Sequence, residues 1–187
     1  LVEAFDRFVD AVDGPVVVGS DDPEGAALAA RHGAETVGTA DGVDWAISAV
    51  EESWEGVRFS LSGPVGGSLE IVLPVPGLHN ARNAATAAVA AHHVGADPEA
   101  VVGALARIGG VARRYEQRGR AGCVVLLDDY AHLPTEVAAT VEASRAGGFG
   151  RIVSVFQPHR YSRTEALWSS FGGAFDGSDV TFVTDVY

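Results

Sequence analysis

The sequence predicts an α/β protein whose second half is built on a parallel β-sheet. Near-continuous apolar stretches at 123–130 and 151–156 are typical of strands buried on both faces, and amphipathic stretches of helix length alternate with them. Between residues 56 and 77 apolar and polar residues alternate instead, which favours antiparallel strands and hairpins in the first half. The chain of 187 residues suits one domain or two small ones.

The first half begins with an amphipathic helix predicted over 1–12 and a buried strand over 15–20. Asp22 and Pro23 are typical of a helix start, and Asp97 and Pro98 mark another. The elements that follow the first strand are, in order, a helix over 24–33 closed by Gly33, a strand over 34–39, antiparallel strands within 41–76, an alanine-rich helix over 77–96 and a helix over 97–110 that ends at paired glycines.

A polar, arginine-rich connection over 111–122 separates the two halves. We place a domain boundary there, which gives predicted domains 1–112 and 113–187. The elements beyond it are strands over 123–130, 151–156 and 179–187, with helices over 134–147 and 162–175.

Composition excludes several classes of protein. The net charge of −12 argues against a general nucleic-acid-binding protein, whose surface is basic. No long apolar run supports a membrane span, and the N-terminus lacks the basic region of a signal peptide. Cys123, assigned to an apolar strand, is the single cysteine, which fits a reducing cytoplasm and no disulfide framework.

All 13 basic residues are arginine. A phosphate-binding loop of the G-x-x-x-x-G-K-[ST] type needs a lysine, so this chain cannot contain one. The G-x-G-x-x-G fingerprint of dinucleotide-binding folds is absent as well. A nucleotide must therefore be held by other residues or by another part of the protein.

Titratable side chains follow each predicted strand of the second half. The carboxyl ends of parallel strands share one edge of a sheet, so we expect these side chains to lie together. Arg160 and Arg163, near a predicted helix N-terminus, favour a pocket for an anion, although each residue taken alone could be an ordinary polar loop residue. The set comprises Asp128, Asp129, Tyr130 and His132, then Gln157, His159, Arg160 and Arg163, then Asp185 and Tyr187.

Adjacent residues on a strand point to opposite sides, so we expect one of Asp128 and Asp129 to face a ligand and the other to be structural. Asp21 and Asp22 follow the first strand and either face a nucleotide or cap the next helix. Packing roles are predicted for Trp45, Trp54 and Trp168.

The alanine-rich helix opens with His79 and Asn80, and Asn83 follows three residues later on nearly the same face. Asn80 alone is best explained as a helix cap. Asn83 lies among small residues, where its amide could pair with the edge of an adenine. His92 and His93 are expected to interact with the C-terminal dipole of this helix and not to bind a metal.

Three stretches together resemble the bacterial Mur ligases, and in particular the members that add alanine. They are GLHNARNAATAA (77–88), GGVARRYE with LLDDYAHLPTEV (109–116 and 126–137), and VFQPHRYSRT (155–164). The resemblance implies the later part of a central ATPase domain, followed by the first part of a Rossmann-like C-terminal domain with a parallel sheet. It also implies that the UDP-sugar domain, the phosphate-binding loop and most Mg²⁺ ligands precede residue 1.

The resemblance also implies roles for individual residues. Asn80, Asn83 and Arg114 match residues that contact ATP, and Asp129 matches the aspartate that holds its ribose. The residues that match those around the incoming L-alanine are Tyr130, His132, His159, Arg160 and Arg163. Of this set, His132, Arg160 and Arg163 are the expected catalytic residues. No metal ligand is expected among the residues that the resemblance assigns. Leu133 departs from the family pattern, which usually has histidine at this position.

The implied activity is ATP-dependent ligation of L-alanine to UDP-N-acetylmuramate through an acyl phosphate. It belongs to cytoplasmic peptidoglycan synthesis, and hence to cell shape and division. Two alternatives stay open: a nucleotide- or amino-acid-binding fragment without catalysis of its own, and a related ligase with another acceptor. The sequence does not indicate an oligomeric state.

Overall fold

The computed structural model describes residues 2–64 and 67–187, and this part of the chain divides into two compact units. The first unit comprises Leu1–Glu51, Val57–Pro74 and Leu78–Ile108. The second comprises Glu52–Gly56, Val75–Gly77 and Gly109–Tyr187. The domain ranges 1–112 and 113–187 stay a prediction.

The first unit contains a five-stranded sheet in the order β1-β2-β3-β4-β5. β1 pairs with β2 and β2 with β3 in parallel, whereas β4 and β5 pair antiparallel, with Phe59 opposite Ile71. The antiparallel pairing predicted within 41–76 is therefore confirmed for β4 and β5, whereas β3 pairs in parallel with β2. The strands are β1 Val17–Gly19, β2 Glu35–Gly38, β3 Trp45–Ser53, β4 Gly56–Ser62 and β5 Ser68–Leu73.

Four helices accompany this sheet. α2 begins after Asp22, whose side chain accepts hydrogen bonds from the N–H groups of Glu24 and Gly25, and it ends at Gly33 with φ 61°. Asp22 is thus a helix cap, one of the two roles that the sequence left open, and Asp97 caps α4 in the same way. The helices are α1 Val2–Asp10, α2 Pro23–His32, α3 Leu78–His93 and α4 Pro98–Leu105.

The core of the first unit lies between the sheet and the helices. Phe59 and Ile71, at 0% exposure, come from the antiparallel pair, and the buried face of α3 is mostly alanine. Small side chains allow α3 to lie close to the strands, and this helix packs against β1 and β2 while α4 packs against β5. The buried residues of α3 are Ala81, Ala84, Ala85, Ala88 and Val89.

Several expectations for the first unit were wrong in detail. The sequence did not predict β3, because its acidic C-terminal part interrupts the apolar alternation. β1 has only three residues and is half-buried to exposed, since it is an edge strand and not a central one. α4 ends at Leu105, before the glycine pair, and α3 starts at Leu78, so Asn80 lies inside its first turn and is not the cap.

The second unit contains two separate pairs of strands among the described residues. β6 Glu116–Ala121 pairs antiparallel with β7 Val124–Asp128, and β8 Val153–Phe156 pairs in parallel with β9 Val180–Val183. α5 Pro134–Ala146 follows β7, and α6 Tyr161–Leu167 follows β8 and continues as a 3₁₀ turn, Trp168–Ser170. The predicted parallel pairing is confirmed for β8 and β9.

Several expectations for the second unit were wrong. Residues 116–121 of the predicted connection form β6, which pairs with β7, so in the described chain β7 does not join the parallel pair. The strands are not covered on both faces, since Val155 is 72% exposed and Val124 64%. The predicted helix 162–175 ends early, at Leu167. Trp168, at 73% exposure, and Trp54 are exposed and do not have the packing roles that the sequence predicted. Cys123 is exposed and lies just before β7, outside the strand.

Within residues 2–64 and 67–187 no helix is long and apolar enough to cross a membrane.

Acidic pH is expected to weaken the contact between α1 and α2. Asp6 Oδ1 lies 2.8 Å from His32 Nε2 and 3.0 Å from Arg31 Nη2, and these partners lower the pKa of Asp6 below its ordinary value of 3.8. His32 Nδ1 also lies 3.3 Å from Asp10. A lowered carboxyl pKa contributes stability above the ordinary pKa and loses it as pH falls through the lowered one, so this contribution disappears progressively below about pH 4.

The measurement compares melting temperatures of the wild type and Asp6→Asn from about pH 7 to about pH 3. The wild type is expected to melt higher at neutral pH, and the difference is expected to shrink below about pH 4. Asp13→Asn, at an exposed position after α1, is the control. A difference for Asp6→Asn that stays constant over the whole range would contradict this role.

Candidate functional site

Asp129 organises the β7–α5 loop, residues 129–133. Its Oδ2 accepts a hydrogen bond from the Tyr115 N–H at 2.9 Å and lies 3.1 Å from the Thr140 hydroxyl, while Oδ1 accepts from the Ala131 N–H at 2.8 Å. Its neighbour Asp128 makes only long ion pairs at this strand end, 3.8 Å to Arg113 and 3.7 Å to Arg118. A carboxylate offers about four acceptor positions, so Asp129 keeps capacity for one further donor.

His132 lies in the same loop with its imidazole held on one side. Nδ1 is 2.9 Å from the carbonyl oxygen of Tyr130 and 3.4 Å from a carboxylate oxygen of Glu136. The rings of Tyr130 and His132 meet edge to face, with centroids 5.5 Å apart. Tyr130 and His132, which the sequence predicted to act together, are therefore adjacent.

Glu136 lies in the first turn of α5 and was not singled out from the sequence. Its Oε2 accepts hydrogen bonds from the N–H groups of His132 at 2.9 Å and Leu133 at 3.1 Å, and its Oε1 is 3.4 Å from Arg114 Nη1. Burial by itself would raise the pKa of Glu136, but these backbone hydrogen bonds and the nearby His132 and Arg114 hold it below its ordinary value. A glutamate at the third helical position is the second half of a capping box, a signal that could have identified this residue.

Leu133 is the N-cap of α5 and has no side-chain oxygen to accept a hydrogen bond from the first turn. Its own N–H is satisfied by Glu136 at 3.1 Å. The departure from the family pattern thus affects the start of a helix directly beside the loop.

The segment before β6 adopts an uncommon backbone conformation. Arg113 has φ 59° and Tyr115 φ 49°, and Arg114 lies between them. Such left-handed conformations of residues with side chains are strained by about 1–3 kcal/mol each, and they concentrate at functional sites. Here they are held by the Tyr130 N–H donating to the Arg113 carbonyl at 2.7 Å and by Asp129 accepting from Tyr115.

Two side chains anchor this segment. The Arg113 guanidinium lies 4.6 Å from the centre of the Tyr130 ring. The buried Tyr115 hydroxyl donates to Ser144 on α5 at 3.1 Å, and burial raises the pKa of this phenol. The candidate site in the second unit therefore includes the predicted Arg114 and also Arg113, which was not predicted from the sequence.

A second group of predicted residues lies where β8 and β9 end. The Arg160 N–H donates to the Tyr187 carbonyl at 2.8 Å, the Tyr187 N–H donates to the Pro158 carbonyl at 2.9 Å, and the rings of His159 and Tyr187 are 5.6 Å apart. Arg160 is exposed with φ 67° and immediately precedes α6, whose first turn contains the half-buried Arg163. The ends of these two parallel strands thus meet at one edge, as predicted.

The two groups are not joined by any hydrogen bond or ion pair in the described residues. Asp129, Tyr130, His132 and Arg114 form one cluster, while His159, Arg160 and Tyr187 form another. That all of them line one pocket stays a prediction.

In the first unit, Asn80 is half-buried and Asn83 exposed on α3. Between them, Arg82 forms an ion pair with Asp21 after β1, and Asp21 Oδ1 accepts from the Thr39 N–H at 2.7 Å. Burial would raise the pKa of Asp21, but the hydrogen bonds from Thr39 and the charge of Arg82 lower it. Asp21 therefore ties β1, β2 and α3 together.

At the other end of α3, His93 Nε2 lies 3.1 Å from Glu35, and the His92 ring lies 5.5 Å from that of the buried Trp45. In the part of the chain that the structure describes, no group of three or more His, Cys, Asp or Glu side chains could hold a metal ion. Because Mg²⁺ is commonly held by one or two protein carboxylates together with phosphate oxygens and water, its ligands stay a prediction.

Family comparison assigns both halves of the chain. The model of the Mur ligase middle domain matches residues 2–91, and that of the Mur ligase glutamate ligase domain matches residues 113–186. The chain belongs to the Mur ligase family.

Two relatives and one solved structure are similar to nearly the whole of this chain. UDP-N-acetylmuramate–L-alanine ligase of Thermobifida fusca (strain YX) is 39% identical over 99% of this chain and 42% of its own length. The ligase of the same name from Mycobacterium sp. (strain JLS) is 45% identical over 98% of this chain and 41% of its own length. The structure of UDP-N-acetylmuramate-alanine ligase from Thermotoga maritima matches with a TM-score of 0.81 and 27% identity, over 100% of this chain and 41% of that one.

The chain thus spans about two fifths of the length of these relatives. A MurF structure from Acinetobacter baumannii matches with a TM-score of 0.76 at 18% identity, over 97% of this chain and 44% of that one, which shows a shared fold.

Proposed function

We propose that this chain carries ATP- and amino-acid-binding parts of a ligase that joins L-alanine to UDP-N-acetylmuramate in peptidoglycan synthesis. The observation that carries the proposal is the 39% and 45% identity of nearly the whole chain to ligases with this printed name. The sequence FQPHRYSR, residues 156–163, supports the alanine-adding type over related ligases.

For ATP, the proposal assigns four residues. Asn80 and Asn83 contact the nucleotide from α3, with Asn83 at the adenine, where its exposed amide is accessible. Arg114 reaches the nucleotide from the segment before β6, and Asp129 accepts a hydrogen bond from the ribose. The remaining acceptor capacity of Asp129 is compatible with this role.

For L-alanine, Arg160 and Arg163 bind the carboxylate, since guanidinium groups match its geometry. Tyr130, His132 and His159 surround the amino acid. Holding the carboxylate fixes the position of the amine, and orientation of this kind supplies a large part of a rate enhancement.

The proposed reaction, which the resemblance to the family implies, has two steps. The muramate carboxylate attacks the γ-phosphorus of ATP, the bond to ADP breaks, and an acyl phosphate forms. The alanine amine then attacks the acyl carbon, and phosphate leaves with the electron pair of the broken C–O bond. Such phosphoryl transfer depends on positioning and charge stabilisation, and Mg²⁺, when bound, would neutralise phosphate charge.

A binding module without catalysis of its own is the second candidate for the isolated chain. The absence of lysine, and hence of the P-loop, favours it. A related ligase with a different acceptor has less support, because structural neighbours such as the diaminopimelate ligase, at 21% identity, share the fold alone. We place the ligase in the cytoplasm, where a single exposed cysteine stays reduced.

The test expresses the whole gene that contains this sequence and measures phosphate release from ATP with UDP-N-acetylmuramate and a panel of amino acids. Phosphate release is expected with L-alanine. With D-glutamate the rate of release is expected to be at least about tenfold lower, since a site that fixes one carboxylate and one amine disfavours a longer acid. The 187-residue chain alone, assayed in parallel, is expected to show no turnover. Turnover with another amino acid and none with L-alanine would reject the proposal.

A further inference from the structure

Glu136 contacts two predicted functional residues at once. Its Oε2 lies 3.4 Å from His132 Nδ1 and also accepts from the His132 N–H at 2.9 Å, while its Oε1 lies 3.4 Å from Arg114. Its side chain is 26% exposed, so these contacts are partly shielded from water. A carboxylate that served only to cap α5 would need the backbone contacts alone.

The surroundings of His132 determine where its ring carries a proton. Both groups facing Nδ1, the Tyr130 carbonyl at 2.9 Å and the Glu136 carboxylate at 3.4 Å, are acceptors. Nδ1 must therefore be the N–H donor, and in the neutral ring the lone pair is on Nε2. The other charged groups nearby are Arg114, which contacts Glu136, and Arg113, which lies over the Tyr130 ring.

We propose that Glu136 is a positioning residue that, with the Tyr130 carbonyl, fixes the proton of His132 on Nδ1 so that Nε2 accepts a proton from the ammonium group of the incoming amino acid. This rests on the proposed function, since it needs an amino-acid acceptor beside His132. The arrangement has the logic of a histidine base oriented by a carboxylate. The lowered pKa of Glu136 keeps that carboxylate charged at neutral pH.

The step balances as follows. The ammonium group gives one proton to Nε2, which leaves a neutral amine and an imidazolium stabilised by Glu136. The amine forms the C–N bond at the acyl carbon, and the C–O bond to phosphate breaks. Of the two protons left on the amine, one stays on the amide and the other goes to the departing phosphate, while the imidazolium returns its proton to solvent.

The first experiment needs no variant and no catalysis. Long-range ¹⁵N NMR of the histidine rings in the 187-residue chain distinguishes the two neutral tautomers. His132 is expected to carry its proton on Nδ1. A neutral ring protonated on Nε2 would overturn the proposal whatever the protein's function.

The second experiment compares Glu136→Gln with Glu142→Gln in the ligase expressed from the whole gene. Glutamine keeps an oxygen for the two backbone N–H groups but loses the charge, so kcat is expected to fall about tenfold or more with little change in the KM for L-alanine. The acid limb of the pH profile of kcat/KM is expected to move to lower pH. Glu142, exposed on the same helix, should tolerate the change.

The outcomes separate the two proposals. If the wild type turns over with L-alanine and Glu136→Gln keeps its kcat and pH profile, the role of Glu136 is wrong and the proposed function stands. If the wild type does not use L-alanine, the proposed function fails, and with it the role in ligation. Glu136 would be a purely structural residue if Glu136→Gln melted at a much lower temperature than Glu142→Gln and if Glu136→Asp, which keeps the charge, recovered no activity.

Discussion

Asp129→Ala is expected to destabilise the chain by about 2–4 kcal/mol, because two backbone N–H groups lose their acceptor at once. These are the N–H groups of Tyr115 and Ala131, at 2.9 Å and 2.8 Å from the carboxylate, whereas the Thr140 hydroxyl keeps the Glu136 carbonyl as an acceptor at 3.1 Å. The Tyr115 N–H has no simple replacement, since its residue is buried with φ 49° and is held in that conformation by this bond. Urea denaturation of the wild type and the variant measures the difference.

Asp128→Ala is the matched control, one residue earlier at the same strand end. Its ion pairs are 3.7 Å and 3.8 Å long and join half-exposed arginines, so the expected loss is under about 1 kcal/mol. Asp129→Asn retains one acceptor oxygen and is expected to fall between the two in stability. It should also weaken ATP binding, measured by calorimetry on the whole-gene ligase; unchanged ATP affinity would reject the ribose role while leaving the structural role intact.

Replacing Arg160 and Arg163 together by alanine is expected to raise the KM for L-alanine by about 100-fold or more. Each guanidinium–carboxylate hydrogen bond contributes about 1.5–3 kcal/mol, and every 1.4 kcal/mol is about tenfold in affinity. Arg160 is exposed and Arg163 half-buried, and neither makes a side-chain ion pair within the described residues. Their loss should therefore affect ligand binding more than folding.

Arg151→Ala is the control for this pair, because Arg151 is exposed just before β8 while the other two follow its end. Steady-state kinetics with L-alanine and ATP varied in turn gives the two KM values for each variant. A rise in the KM for ATP with no rise for L-alanine would mean that these arginines bind nucleotide phosphates and that the assignment of the amino-acid site is wrong.

Most helices and strands were predictable because local chemistry sets them. Asp22 and Asp97 cap helices that begin with proline, and Gly33 ends α2 in the left-handed conformation that glycine adopts readily. The alternating residues of β4 and β5 pair antiparallel because one face of each enters the core. β6 was missed for the converse reason: its residues, EQRGRA, are polar and lack the alternation from which strands are recognised.

The candidate residues were predictable in kind but not in arrangement. The motifs around Asp129 and Arg160 identified the family and the chemistry. The spacing of these motifs could not show that Asp129 accepts a hydrogen bond from Tyr115 in the segment before β6. Nor could it show that Glu136 contacts Arg114 as well as His132. The contacts of Asp129 with Tyr115 and of Glu136 with Arg114 join residues 14 and 22 positions apart, and no local pattern encodes them, whereas Glu136 and His132 are only four residues apart.

By itself, then, the sequence determined the family, most of the secondary structure and the set of side chains available for chemistry, because capping, periodicity and motifs are local properties. Only the tertiary structure decided which carboxylate supports the backbone and which strands pair. Those outcomes depend on hydrogen bonds between distant segments, whose donors and acceptors become neighbours only once the chain has folded.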